Sequence, residues 1–235
     1  MKTVLITSGG TKIKIDRVRS ITNMSRGTFG SKIADSLYGQ LHPDFYKVIF
    51  LYAKGSRLPS KFREMKLVEY ETFEDYERML FKILENDKPD VVLLAAAVSD
   101  YGVSNYVDGK IRSDGDLVIH LKPLPKLISK VRDVVPDATI CGFKLLVDST
   151  EEELKDACVK SMDKNRLDCI VGNDLRDIQD DNHTILLGRW EGDSVEFQRF
   201  SQKDANGEDT GSHLHSLVAT FTLLVDLEKR QKVVQ

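Results

Sequence analysis

Cysteine is scarce in this chain: Cys141, Cys158 and Cys169 are its 3 cysteines, and no two stand in C-x-x-C spacing. That argues against a disulfide framework or a thiolate zinc site, and the apolar runs around Cys141 and Cys169 point to buried thiols. The 5 histidines, His42, His120, His183, His213 and His215, contain no H-E-x-x-H. His213 and His215 are expected on the last helix, where residues two apart do not share a face and so form no metal pair. No apolar run nears the length of a membrane span, and the N-terminal run is too short for a secretory signal; a cytoplasmic protein without membrane contact is expected. Neither sign of charge dominates: 34 Lys+Arg against 37 Asp+Glu leave a formal net charge of -3, which provides no global attraction for nucleic acid. No Pro-rich or Gly/Ser-rich linker divides the chain, so residues 1–235 read as one domain.

The dinucleotide fingerprint G-x-G-x-x-G is also missing. After the strand-like Thr3 to Thr7 comes Ser8-Gly9-Gly10-Thr11, then a polar stretch with Lys12, Lys14, Asp16, Arg17 and Arg19, before Ser25-Arg26-Gly27-Thr28-Phe29-Gly30. A pyrophosphate-cradling turn passes from strand to helix in a few residues, whereas this connection takes about twenty, which argues against a simple NAD site. The stretch is rich in donors for anionic oxygens and opens a Gly-bearing helix start, where backbone N–H groups can face an anion; a solvated basic loop is the plain alternative.

What is present is alternation. Thr3 to Thr7, Tyr46 to Tyr52, Asp90 to Ala96, Ala138 to Lys144 and Asp168 to Gly172 read as strands, several apolar at consecutive positions as in a sheet covered on both faces. Between and after them, Phe29, Ile33 and Leu37; Phe73, Tyr76, Leu80 and Ile83; Leu154, Ala157, Cys158 and Met162; and Leu214, Leu217, Val218, Phe221 and Leu224 recur at helical spacing. Thr150 with Glu153 reads as a capping box. The pattern predicts an α/β fold, a three-layer α/β/α Rossmann-like sandwich with a mainly parallel sheet. Two segments break it: a polar flap at Asn105 to Leu121, and an edge hairpin at His183 to Phe200, whose Ile185–Leu187 run is expected to answer Val195 and Phe197 across Trp190-Glu191-Gly192-Asp193. That hairpin is a plausible pairing surface for a homodimer.

Further clusters fall at strand ends. Ala95-Ala96-Ala97-Val98-Ser99-Asp100 places small residues and then a carboxylate where a ligand can approach closely, and Asp100 can bind magnesium or a ligand hydroxyl; tight packing and a helix cap explain the same residues without a ligand. Lys110 and Arg112 stand in the flap, where closure over phosphates or a solvated turn are both open. Phe143, in Gly142-Phe143-Lys144, can stack on a base, and Lys160 and Lys164 share one helix face ahead of Asn165 and Asn173-Asp174.

Taken in order, these motifs resemble the phosphopantothenoylcysteine synthetase family of coenzyme A biosynthesis. The resemblance rests on Thr7–Thr11, Asp16-Arg17-Val18-Arg19, Ile21-Thr22-Asn23, Ser25-x-Gly27-x-x-Gly30, Ala95–Tyr101, Lys110-Ile111, Lys122 with Pro125, Gly142-Phe143-Lys144, Lys164-Asn165 and Asn173-Asp174, and covers nearly the whole chain. It implies a ligase that joins L-cysteine to 4'-phosphopantothenate through an acyl nucleotidylate, with CTP preferred over ATP and Mg2+ as cofactor. It further implies that Asn23 holds the substrate carboxylate and acyl intermediate, and that Arg19, in its own or a partner subunit, and Ala96 contact phosphopantothenate. By the same resemblance Ser25, Gly27, Ala97, Asp100, Phe143, Lys160 and Lys164 surround the nucleotide, and Lys110 is the flap cation of the activation step.

The chain departs from many relatives in placing Arg26 after Ser25, where a second serine is common. It also carries no counterpart of the flavin-binding decarboxylase found upstream in bifunctional bacterial relatives, so a monofunctional bacterial type, no flavin and a separate decarboxylase partner are expected. An NAD(P)- or flavin-dependent oxidoreductase and a noncatalytic nucleotide-binding regulator are the competing readings; the first rests on the α/β pattern alone, which is a poor guide to chemistry.

Overall fold

The run Thr3-Val4-Leu5-Ile6 is apolar and β-branched at consecutive positions, and it forms β1 (Lys2–Ser8), in which Val4, Leu5 and Ile6 are fully buried. The computed structural model describes residues 1–41, 44–179, 183–203 and 213–234; His42 lies outside them. After β1 come the short strands β2 (Lys12–Lys14) and β3 (Ser20–Thr22), then α1 (Thr28–Gln40), β4 (Tyr46–Ala53) and β5 (Lys66–Tyr70). Next are α2 (Phe73–Asp87), β6 (Val91–Leu94), β7 (Tyr101–Val103), β8 (Leu121–Pro123), α3 (Ile128–Val134) and β9 (Thr139–Leu146). The chain continues through α4 (Glu151–Asn165), β10 (Cys169–Asp174), α5 (Leu175–Gln179), β11 (Thr184–Glu191), β12 (Ser194–Ser201) and α6 (Leu214–Val234).

One 8-stranded sheet runs in the order β12-β11-β10-β9-β6-β1-β4-β5. It is parallel from β10 to β5, and the β11–β12 hairpin closes one edge in antiparallel fashion. Alternate side chains point to opposite faces. Val4, Ile6, Leu93, Cys141 and Val171 therefore pack under α1 and α6, while Leu5, Val92, Ile140 and Ile170 pack under α2, α3 and α4. Each fully buried aliphatic side chain contributes about 1.5–3 kcal/mol, so both layers are needed to hold the sheet. Because β4 lies on one side of β1 and β6 on the other, the strand order reverses at β1, and a crevice opens at the carboxyl ends of β1 and β6.

Several details differ from the sequence reading. The connection from β1 to α1 is not structureless: β2 and β3 pair antiparallel within it, Lys12 opposite Thr22 and Lys14 opposite Ser20. Three-residue strands, with Ser20–Thr22 exposed throughout, leave no periodicity to read. Strand β5 was not foreseen, because at the sheet edge its first four residues are only partly covered. In the edge hairpin, Ile185 faces Phe200 and Leu187 faces Gln198, while Val195 and Phe197 sit opposite Trp190 and Gly188; the turn is Glu191-Gly192-Asp193-Ser194. His213 precedes α6, its carbonyl accepting from Ser216 and Leu217 N–H, and only His215 lies in the helix. Leu224, read as part of that helix's apolar face, is exposed. The flap residues are tied at their base by β7 and β8, which pair antiparallel.

Candidate functional site

The crevice is built from small residues. Past β6 the chain runs Ala95-Ala96-Ala97, with Ala96 N–H donating to Thr7 Oγ1 at 3.1 Å and Ala97 N–H to Gly9 O at 2.8 Å. Tyr70 Oη donates to the carbonyls of Ser8 and Gly9 at 2.8 and 3.0 Å, which fixes the turn after β1. Helix α1 approaches this turn closely. A Cβ on Gly30 would stand 2.5 Å from Ser8 Oγ, and Gly27, the N-cap, sits at φ 71, a conformation that glycine adopts freely. The G-x-x-G spacing of Gly27 and Gly30 is thus a packing requirement of α1 against β1. Since β1 leads into the β2–β3 hairpin before any helix, the dinucleotide-binding turn of the oxidoreductase reading is absent.

Beside the alanines lies a cleft of about 590 Å³ on the α2–α3–α4 side of the sheet. Ala96, Ala97 and Asp100 line it from the loop after β6, Phe143 and Lys144 from β9, Lys126 from the loop before α3, and Lys160 and Lys164 from α4. Lys160 and Lys164 project together because residues four apart share a helix face. The charged lining is four lysines against one carboxylate, and that carboxylate, Asp100, is already ion-paired with Lys126. The cleft lining therefore carries an excess of positive charge. Its apolar wall includes Tyr76, whose hydroxyl is pushed up to about 12 by burial, partly offset by a hydrogen bond with Thr7, and so stays neutral.

Asn23 reaches the same crevice from the other side, its Nδ2 donating to Ala97 O at 2.8 Å. Thr22 Oγ1 donates to Thr11 O, and Ser99 N–H donates to Thr11 Oγ1, so the loops after β1, β3 and β6 form one woven rim. Ser25 and Gly27 stand at the start of α1, with Ser25 Oγ accepting from Gly27 N–H at 3.4 Å; the first turn of that helix has no acidic side chain. Phe143 meets Phe29 of α1 edge-on at 6.4 Å between ring centroids, and Phe29 meets His183 at 4.9 Å. His183 Nε2 lies 3.0 Å from Asn173 Oδ1, and burial, with Lys32 nearby, holds the imidazole below its ordinary range. Asp174 is occupied structurally: its carboxylate accepts from Asp148, Ser149 and Arg176 N–H.

The structure thus brings Ala96, Ala97, Asp100, Lys160 and Lys164 to one cleft, with Asn23 at its rim and Ser25 and Gly27 at the adjoining helix start; Phe143 borders the cleft from β9, but its ring packs on Phe29 at the α1 face of the sheet. It does not bring Arg19 or Lys110 there. Arg19 sits on the β2–β3 hairpin and bonds Asp16, Ile111 O and Ser113, whereas Lys110 borders a separate flap concavity with Arg112. Lys126, which the motifs did not flag, joins the cleft through its pairing with Asp100. A lone lysine in Pro125-Lys126-Leu127 carries no sequence signal; only the fold sets it opposite Asp100. Among the described residues no group of three or more His, Cys, Asp or Glu could hold a metal. With its one lining carboxylate engaged by Lys126, the cleft does not by itself provide the oxygen ligands that Mg2+ demands. Among the described residues no helix is long and apolar enough to cross a membrane.

A doubly wound sheet with a lysine-rich, alanine-floored cleft at its strand carboxyl ends, beside the switch point, defines the class of open α/β proteins that take ligands at that edge of the sheet. Residues 1–210 match the family model for the DNA/pantothenate metabolism flavoprotein C-terminal domain, and the chain belongs to that family. It is 38% identical over 190 residues to the coenzyme A biosynthesis bifunctional protein CoaBC of Thermococcus kodakarensis, covering 80% of this chain and 45% of that protein. To the human phosphopantothenate–cysteine ligase it is 30% identical over 200 residues, covering 63% of this chain and 64% of the other. The crystal structure of the DNA/pantothenate metabolism flavoprotein from Streptococcus pneumoniae superposes with a TM-score of 0.76 at 30% identity, over 99% of both chains. The chain spans about half the length of several curated relatives it matches.

Proposed function

We propose that this chain, acting as one domain, is a phosphopantothenate–cysteine ligase of coenzyme A biosynthesis. The observation that carries the reading is the meeting, at one strand-end crevice of a member of this family, of the Asn23 amide and the lysine-rich cleft. In the first step a carboxylate oxygen of 4'-phosphopantothenate attacks the α-phosphorus of a nucleoside triphosphate, the α–β bridging bond breaks, and pyrophosphate leaves. In the second, the cysteine amine attacks the acyl carbon, loses a proton and expels the nucleoside monophosphate.

Bringing a carboxylate to a triphosphate is opposed by like charge, and Lys160 and Lys164 offset that opposition at the phosphates. The free N–H groups at the Gly27 start of α1 add donors without adding acid. Phe143 borders the place of the base from β9, its ring held edge-on by Phe29 of α1. Asn23 suits a mixed anhydride, since an amide donates to developing negative charge without repelling it. Lys110 serves from the flap, and Arg19 serves phosphopantothenate from a partner subunit, because in its own chain it lies off the cleft. CTP is the preferred nucleotide, and its magnesium arrives as part of that substrate. The decarboxylation that follows, of the cysteine carboxyl of the product, belongs to a flavin-dependent activity outside this site.

Pyrophosphate release should require phosphopantothenate together with CTP or ATP, be faster with CTP, and yield the cysteine amide once L-cysteine is added. Absence of release with either nucleotide would overturn the ligase reading; binding without turnover would favour a noncatalytic regulator.

A further inference from the structure

Asp16 is a carboxylate buried to 1% exposure at the bend between β2 and β3, and the ligase reading leaves it without a role. It accepts from Val18 N–H at 2.7 Å, Arg19 N–H at 2.6 Å, Arg19 Nη1 at 2.7 Å and, across 95 residues of sequence, Ile111 N–H of the flap at 3.1 Å. Those donors match the acceptor capacity of a carboxylate, which leaves it nothing to offer a substrate proton or a metal. Desolvation pushes the group up, but the Ile111, Val18 and Arg19 donors outweigh that and hold it at about 2. It is a fixed charge.

Other contacts join the same two segments. Arg17 N–H donates to Gly109 O at 2.9 Å, Val107 N–H donates to Ile15 O at 3.1 Å, and the Arg17 guanidinium pairs with Asp108 at 2.7 Å. Arg19 Nη1 also donates to Ile111 O at 3.2 Å. Gly109 and Ile111 are the neighbours of Lys110, so the peptides on both sides of Lys110 are held by the hairpin bend while its side chain stays free to work.

We propose that Asp16 is a positioning residue: through its bond to Ile111 and its hold on Arg19, it locks the flap backbone that presents Lys110. The catalytic part of this inference rests on the ligase reading. The lock itself does not.

Asp16→Asn separates the two ends of the contact. The amide keeps a carbonyl oxygen for the Val18 and Arg19 N–H groups of the bend, but turns an NH2 toward the donors Ile111 N–H and Arg19 Nη1. Loss of one charge-assisted bond of this kind should speed amide exchange at Ile111 about tenfold and lower the turnover number for pyrophosphate release about tenfold, with the nucleotide KM moved less than about twofold. In a Lys110→Gln background, at saturating phosphopantothenate so that a displaced Arg19 is not read out, the same substitution should cost almost nothing more in turnover, since both changes then remove one function. A merely structural Asp16 would give equal losses in both backgrounds. Equal losses, or unchanged exchange at Ile111, would overturn the proposal. If the unaltered protein releases no pyrophosphate, the ligase reading falls, and exchange at Ile111 alone decides the lock.

Discussion

At the scale of single residues, the cleft's charge balance sets what a ligand experiences. Lys160 and Lys164 form no ion pair with Asp100, which is taken by Lys126, so their charge is available to phosphate oxygens. Lys164→Ala is expected to raise the nucleotide KM roughly tenfold, the size of one charge-assisted hydrogen bond, and to leave the melting temperature within about 2 °C. Initial rates against nucleotide concentration check this; an unchanged KM would remove Lys164 from the site. His183 gives a pH prediction. Its folded pKa is lowered from 6.5, first by burial and then by Lys32, so on acidification the unfolded chain takes the proton before the folded one does. Stability is therefore lost as pH falls through about 6.5 toward the folded value, and the melting temperature should drop more between about pH 7.5 and about 5.5 in the natural protein than in His183→Gln. Equal drops would show that the buried imidazole does not set this dependence.

At the scale of elements, legibility follows periodicity and burial. The central strands and the four amphipathic helices could be read because both faces of the sheet are covered, which leaves long apolar signatures; the Thr150–Glu153 capping box is present as both reciprocal hydrogen bonds. The β2–β3 hairpin and β5 could not, because short or edge strands exchange water for few apolar contacts and so impose little pattern. The same divide runs through the site. Ala96, Ala97 and Asp100 share a cleft with Lys160 and Lys164 because the loop after β6 and the face of α4 converge by topology, a meeting that the order of the motifs suggested, whereas the Asp16–Ile111 contact joins two irregular segments and leaves no trace in local sequence. One element-level test is Gly30→Ala. Helix propensity alone favours alanine, but the new Cβ would lie 2.5 Å from Ser8 Oγ and 2.9 Å from Ser8 Cβ, with little room for β1 to yield. Overpacking of this kind costs about 1–3 kcal/mol, so denaturant unfolding should show a net loss. A gain in stability would mean that α1 can move away from β1.

At the scale of the whole molecule, the surface distinguishes two candidate pairing faces. The edge hairpin, expected as a dimer surface, presents Ser194, Glu196, Gln198 and Arg199 outward from β12, the polar and charged dressing that discourages edge-to-edge association. The β2–β3 hairpin, the β7–β8 ribbon and the flap between β7 and β8 instead expose Ile21, Tyr101, Leu121 and Val107, at 39, 56, 49 and 42%. Exposed apolar side chains of this kind mark a candidate association surface where they are contiguous. Arg19 belongs to the same hairpin and does not line its own chain's cleft, so a two-fold dimer formed here could set it at the partner's. Subunit mixing tests the arrangement. Arg19→Ala and Lys164→Ala homodimers should both be weak, but unfolding and refolding an equal mixture makes half the dimers mixed. In each mixed dimer one site has an intact Lys164 from its own subunit and an intact Arg19 from the other, so activity should recover to about a quarter of the natural level. Were Arg19 to act within its own subunit, every site in the mixture would lack one of the two cations, and no recovery would be seen.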